Sequence, residues 1–236
     1  LYRARYRSLG WRSSPGDSSD TKLLRGTVVG FMVMDVRDRK ARARAARLGR
    51  AYVGYGQAAD PGAVDAQLAE LALAAAVQEG DSGLFEHLRT LLETSTDATM
   101  RNRILGALGY AEDPELSKRA LDLTLDPALR RNETSRILGV QLRNPRTRDR
   151  AWAWLKDNFD ALATRTGRAQ AGSAPWYAAS LCTRDAAEEV QAFFGPRVSS
   201  LAGGPRNLAG AVEAIRLCAA QSEAQRPGVD AAFRRP

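Results

Sequence analysis

Residues 151–162 read Ala-Trp-Ala-Trp-Leu-Lys-Asp-Asn-Phe-Asp-Ala-Leu, and their spacing decides the fold class. Trp152, Leu155, Phe159 and Leu162 recur at steps of three, four and three, the period of one helix face. Arg150, Lys156 and Asp157 fall on the opposite side, which water keeps. Trp152 is therefore expected in a core, and Trp154, on a different face, against a neighbouring helix pair. Asn144-Pro145, just ahead of this stretch, places a side-chain oxygen at an N-cap and a proline at the first helical position.

The same period runs outward in both directions. Val64, Leu68, Leu71 and Ala75 form one stripe, Met100, Ile104 and Leu108 a second, and Leu208, Val212, Ile215 and Ala219 another. Asp113-Pro114 marks a further helix start, and Gly172-Ser-Ala-Pro175 and Gly203-Gly-Pro205 read as the two loosest connections. Arg103-Ile-Leu-Gly and Arg136-Ile-Leu-Gly begin alike, as two turns of a helix-pair repeat would. Strand alternation is nearly absent. The pattern predicts an all-α chain, a HEAT- or armadillo-like superhelical stack of antiparallel helix pairs joined by short links.

Composition narrows the function classes. The net charge is +8 and the isoelectric point near 10, which would suit an acidic partner. The charge, however, is scattered arginine in an alanine-rich chain, as in a GC-rich bacterial genome. Only Lys22, Lys40, Lys118 and Lys156 are lysines. The one dense run, from Arg37 to Arg47, sits on a predicted helix whose solvated face accounts for it, so nucleic acid is not an expected partner. No apolar run approaches the roughly 20 residues of a membrane span, so no membrane contact is expected and a soluble, cytoplasmic protein is. Cys182 and Cys218 lie in apolar helical contexts and read as two buried free thiols.

One histidine, His87, serves the whole chain. A zinc hydrolase needs at least two imidazoles, usually as His-Glu-x-x-His on a helix, and a nucleophile triad needs one beside its Ser or Cys. His87 lies in a charged stretch and is expected at the surface. Glu188 and Glu189 are adjacent on a helix and so diverge, which bars an acid–base pair. Gly203-Gly-Pro205 lacks the Lys-Ser/Thr of a phosphate loop. No catalytic residue and no metal ligand is therefore assigned. Leu9-Gly-Trp11 reads as a tight turn closing a first helix, with Gly10 left-handed and Trp11 as a plug.

Taken in order, several blocks resemble one known domain: Leu9-Gly-Trp11, Leu105-Gly-Ala-Leu108, Asp113-Pro-Glu-Leu116, Asn144-Pro145 with Ala151–Leu162, and Ala211-Val-Glu-Ala-Ile215. They resemble the C-terminal helical domain of zinc aminopeptidases, the family of aminopeptidase N and the endoplasmic-reticulum aminopeptidases. The resemblance runs from Tyr6 to about Gln221. It implies that residues 1–236 are a single C-terminal helical domain, with 1–8 the end of a linking helix from an upstream catalytic domain.

That upstream domain would carry the zinc, the His-Glu-x-x-His site and the Gly-x-Met-x-Asn motif. Neither motif occurs in this chain. The implied role is non-catalytic: enclosing the peptide chamber and helping to bind the distal end of peptide substrates. Arg101 and Arg136, each near the start of a helix in the repeated unit, are the candidate substrate-binding residues, since a guanidinium can hold a peptide carboxylate bidentately. A free-standing HEAT-like protein-binding scaffold and a basic helical-repeat nucleic-acid binder are the rival readings.

Overall fold

The computed structural model describes residues 2–234, and among these there is no strand. The chain forms two compact units. One runs from the N-terminus to Ala128 and takes in Ser135–Gln141; the other comprises Leu129–Thr134 and everything from Leu142 onward.

The first unit holds α1 (Tyr2–Leu9), α2 (Ser19–Gly30) with a π-helical continuation at Phe31–Asp35, α3 (Arg39–Val53), α4 (Ala69–Val77), α5 (Ser82–Thr94), α6 (Ala98–Leu108), α7 (Pro114–Leu123) and most of α8 (Ser135–Arg143). Local chemistry starts the helices. Asp38, Asp81, Asp97 and Asp113 each accept a backbone N–H of the first turn, and Pro114 follows Asp113 at the first helical position as expected. Gly10 adopts φ +62, its N–H reaching Tyr6 O at 3.1 Å, and the buried Trp11 donates to Tyr6 Oη at 2.9 Å. The expected turn and plug are both there.

Packing in this unit follows a helix-pair stack. α3 and α4 are antiparallel, since Arg42 meets Gln78 at one end while Gly49 lies on Ala72 nearer the other. α4, α6 and α8 lie side by side: Glu70 and Arg136 meet over Gly106, and Gly109 abuts Val140. The next row is α3, α5 and α7, tied by His87 on Val53 O and by Arg119 on Glu86. Alternate helices are thus neighbours, as in HEAT-like arrays. α4 is buried at Ala69 and throughout Ala72–Val77, with only Glu70 and Leu71 partly open near its start, so it forms the centre of the unit. Its stripe begins later than expected, because Val64 sits in the loop before the helix.

The second unit holds α9 (Arg148–Thr166), α10 (Arg168–Ser173), a 3-10 segment at Ala174–Ser180, α11 (Arg184–Val198) and α12 (Gly204–Phe233). The opening stretch behaves as its period predicts. Trp152, Leu155, Phe159 and Leu162 are buried, and the Trp152 and Phe159 rings meet Phe193 and Phe194 at centroid distances of 5.5–6.0 Å. Trp154 is buried too. α11 and α12 are antiparallel, with Arg184 on Glu223 at one end and Gly204 against Val198 O at the other. Leu208, Val212, Ile215 and Ala219 all face inward.

Three expectations are corrected here. Asn144-Pro145 does not begin α9. The Asn144 side chain accepts from Arg146 N–H at 3.0 Å in a local turn, and the helix starts at Arg148. Gly172-Ser-Ala-Pro175 is not a loose link: it closes α10 and opens the 3-10 segment, with Ala171, Gly172, Ala174 and Pro175 buried. An added Cβ at Gly172 would stand 2.7 Å from Ala202 O, so the glycine is there for close approach. Cys182 and Cys218 are not free thiols but a disulfide, with Cα atoms 5.1 Å apart. Antiparallel pairing of α11 with α12 brings them together, a relationship across 36 residues that local context does not carry.

Candidate functional site

The repeated Arg-Ile-Leu-Gly blocks lie on two neighbouring parallel helices, in the second half of α6 and in the first turn of α8. Each arginine reaches back toward α4. Arg103 donates to Ala66 O at 2.9 Å and to Tyr52 Oη at 2.6 Å, with its guanidinium also over the Tyr52 ring. Arg136 donates to Glu70 Oε1 at 2.5 Å. Gly106 lies under that pair, where a Cβ would stand 2.4 Å from Glu70 Oε1 and 3.0 Å from Arg136 Nη2. The result is a half-exposed strip of Glu70, Arg103 and Arg136 on one face of the α4–α6–α8 row. Arg136 Nε is buried and has no hydrogen-bond partner, so this guanidinium keeps unused donor capacity.

The two candidate residues fare differently. Arg136 belongs to the strip. Arg101 is only 4% exposed and gives its guanidinium to Leu92 O and to Ser95 O at the C-terminal end of α5. Its position serves the helix end, where a cation complements the last carbonyls. Arg101 stands two residues before Arg103, a rotation of about 200° around the helix, which turns it to the opposite face. The repeat alignment itself pointed to Arg103, which is the true counterpart of Arg136. Glu70 and Tyr52 carry no motif and were legible only as helical residues.

Elsewhere the chemistry is structural. His87 is half-buried, not a surface residue: its Nε2 lies 2.8 Å from Val53 O and its ring 5.6 Å from that of Tyr55. It joins α5 to α3. Glu86 accepts from Arg119 and Arg89, and these two guanidinium groups, Arg119 first, hold its carboxyl below the ordinary glutamate range. Glu188 and Glu189 diverge: Glu189 takes Lys156 of α9 at 2.5 Å, while Glu188 lines the cleft toward α12. Among the described residues no three His, Cys, Asp or Glu side chains are grouped to hold a metal ion, so the donor set does not fit a zinc centre.

Known proteins place this helical array. The family model described as the ERAP1-like C-terminal domain matches residues 1–217. Among curated relatives, Aminopeptidase M1-A of Oryza sativa subsp. japonica is 26% identical over 160 residues, 67% of this chain and 18% of that protein. Aminopeptidase M1-C of the same plant is 27% identical over 79 residues, 34% of this chain and 9% of that protein. The chain therefore spans less than a fifth of the length of either relative. An all-α array of stacked helix pairs, matched over nearly all its length by one family model, leads to one statement: the chain belongs to the ERAP1-like C-terminal domain family.

Proposed function

We propose that this chain is the non-catalytic C-terminal domain of a zinc metallo-aminopeptidase. In this reading it encloses a peptide chamber together with an upstream catalytic domain and helps to hold the distal end of long peptide substrates. The observation that carries the reading is the family match over residues 1–217, supported by the weaker likeness to the rice aminopeptidases. Zinc, the His-Glu-x-x-His site and hydrolysis belong to the upstream domain, and no step of the chemistry is assigned to residues of this one.

Within the chain, the Arg103–Glu70–Arg136 strip is the proposed contact for the peptide's far end. Arg136 is the residue of choice, because its side chain is about one-third exposed and Glu70 engages only its Nη2. A carboxylate could share it bidentately. The Cys182–Cys218 pairing supports a compartment that oxidises thiols over the cytoplasm. No described helix is long and apolar enough to cross a membrane.

The test uses the full polypeptide and compares a single-residue chromogenic substrate with peptides of about ten residues. Arg136→Met should raise KM for the long peptides and leave turnover of the short substrate near wild type, as loss of uniform binding does. Equal effects on both, or none on either, would reject the peptide-binding role of the strip.

A further inference from the structure

The start of α2 is built inside out. Arg25 is 4% exposed, with its guanidinium on Leu9 O at 2.9 Å and on Asp17 Oδ2 at 2.5 Å. The two leucines just before it, Leu23 and Leu24, are 68% and 42% exposed. Leu24, Thr27 and Phe31 then follow at steps of three and four along one outward stripe. Phe31 carries the ring of Tyr2 from α1 at a centroid distance of 4.9 Å, and both rings stay open to solvent. On the Leu23 side of the helix, Gly26 and Gly30 have no heavy atom within 4 Å of where a Cβ would stand, so the backbone is bare. Val36 extends the apolar surface past the π-helical stretch. Single exposed leucines are ordinary on a soluble surface, whereas a cluster of this kind marks a place of contact.

Charge surrounds one side of the patch. An open cleft of about 550 Å3 lies between α1 and the start of α3, walled by five basic side chains and Asp38. Asp38 takes Arg3 and Glu112 takes Arg37. Arg7, Arg39 and Lys40, on the same wall, make no ion pair with any described residue.

We propose that this face, Tyr2 with Leu23, Leu24, Phe31 and Val36, is where the preceding domain of the same polypeptide docks. The surface it meets is an apolar patch flanked by Asp or Glu side chains that face Arg7, Arg39 and Lys40. The proposal rests on the reading of the chain as the C-terminal domain of an aminopeptidase. Two observations favour this occupant over a second copy. The relatives extend far beyond the matched segment, which is 18% and 9% of their lengths. Another part of the same polypeptide is held near this face at an effective concentration of about millimolar, which a second copy in dilute solution does not reach.

The experiment is thiol labelling in the full polypeptide. A single cysteine is placed at Thr27, inside the stripe, or at Thr94, on the exposed end of α5; Cys182 and Cys218 are already paired. The Thr27→Cys thiol should react with a maleimide at least tenfold more slowly than the Thr94→Cys thiol, and adding Leu24→Asp should restore the control rate. Equal rates in a polypeptide that still cleaves a chromogenic aminopeptidase substrate would overturn the docking surface alone. A polypeptide without that activity would overturn the aminopeptidase reading beneath it. Protection that grows with protein concentration would identify a second copy as the occupant and also overturn the proposal.

Discussion

Arg136 of α8 reaches over Gly106 of α6 to the carboxylate of Glu70 on α4, a pair separated by 66 residues in sequence and 2.5 Å in space. Both side chains are about one-third exposed, 34% and 32%. The pair therefore ties three helices without being a large source of stability. A double-mutant cycle with Arg136→Met and Glu70→Gln should give a coupling of about 0.2–1 kcal/mol, weakened by salt. A coupling of zero at low salt would mean that the two groups do not hold each other in solution.

Gly49 should be among the least replaceable residues of the first unit. α3 crosses α4 so closely there that a Cβ would stand 2.4 Å from Ala72 O, and backbone cannot move aside as a flexible side chain can. Gly49→Ala should destabilise by about 1–3 kcal/mol through overpacking, despite alanine's better helix propensity. Gly26→Ala, with open space around it, should be neutral or stabilising. Urea unfolding followed by circular dichroism decides it: equal midpoints for the two variants would contradict the close crossing.

The disulfide predicts a redox-dependent second unit. Closing a loop with a sequence separation of 36 restrains the unfolded chain by about 3–4 kcal/mol in the loop-entropy account. Cys218→Ser, or a reductant, should lower the unfolding midpoint of the segment containing α11 and α12. The thiol count of the native, unreduced protein should be zero. Two titratable thiols in protein purified without reductant would refute the pairing.

Acid should loosen the contact between α5 and α7. The Glu86 carboxyl is held below its ordinary value by Arg119 and then Arg89. A carboxyl depressed in the folded state contributes stability that is present above its unfolded pKa and lost as pH falls through the folded one. The loss therefore belongs below the ordinary glutamate range of about 4.3, not near neutrality. Acid unfolding of Glu86→Gln should show a shallower decline there than wild type. Identical acid limbs would remove Glu86 from the account.

Trp152→Ala should cost about 3–5 kcal/mol, because the indole is buried against Phe193 and Phe194 and its removal leaves a cavity. An unchanged unfolding midpoint would place this ring outside the core.

Helix content, the inward stripes of α9 and α12, the Gly10 turn and the Asp113-Pro114 start were all legible in the sequence. Each depends on residues within a few positions of one another, where period and capping chemistry act directly. The Arg-Ile-Leu-Gly repeat likewise announced two equivalent helices. What the tertiary structure alone decided lies across distance. Cys182 finds Cys218 only because α12 runs back along α11. Arg101 is buried while Arg103 is not, because a two-residue offset turns a side chain to the opposite face and only the neighbouring helices say which face is which. Leu23 and Leu24 are exposed while Arg25 is buried, against any hydropathy rule, because Asp17 and Leu9 O stand where Arg25 can satisfy its guanidinium. Hydropathy ranks residues by what water prefers, and the neighbours that can override that preference are set by packing between helices far apart in the chain.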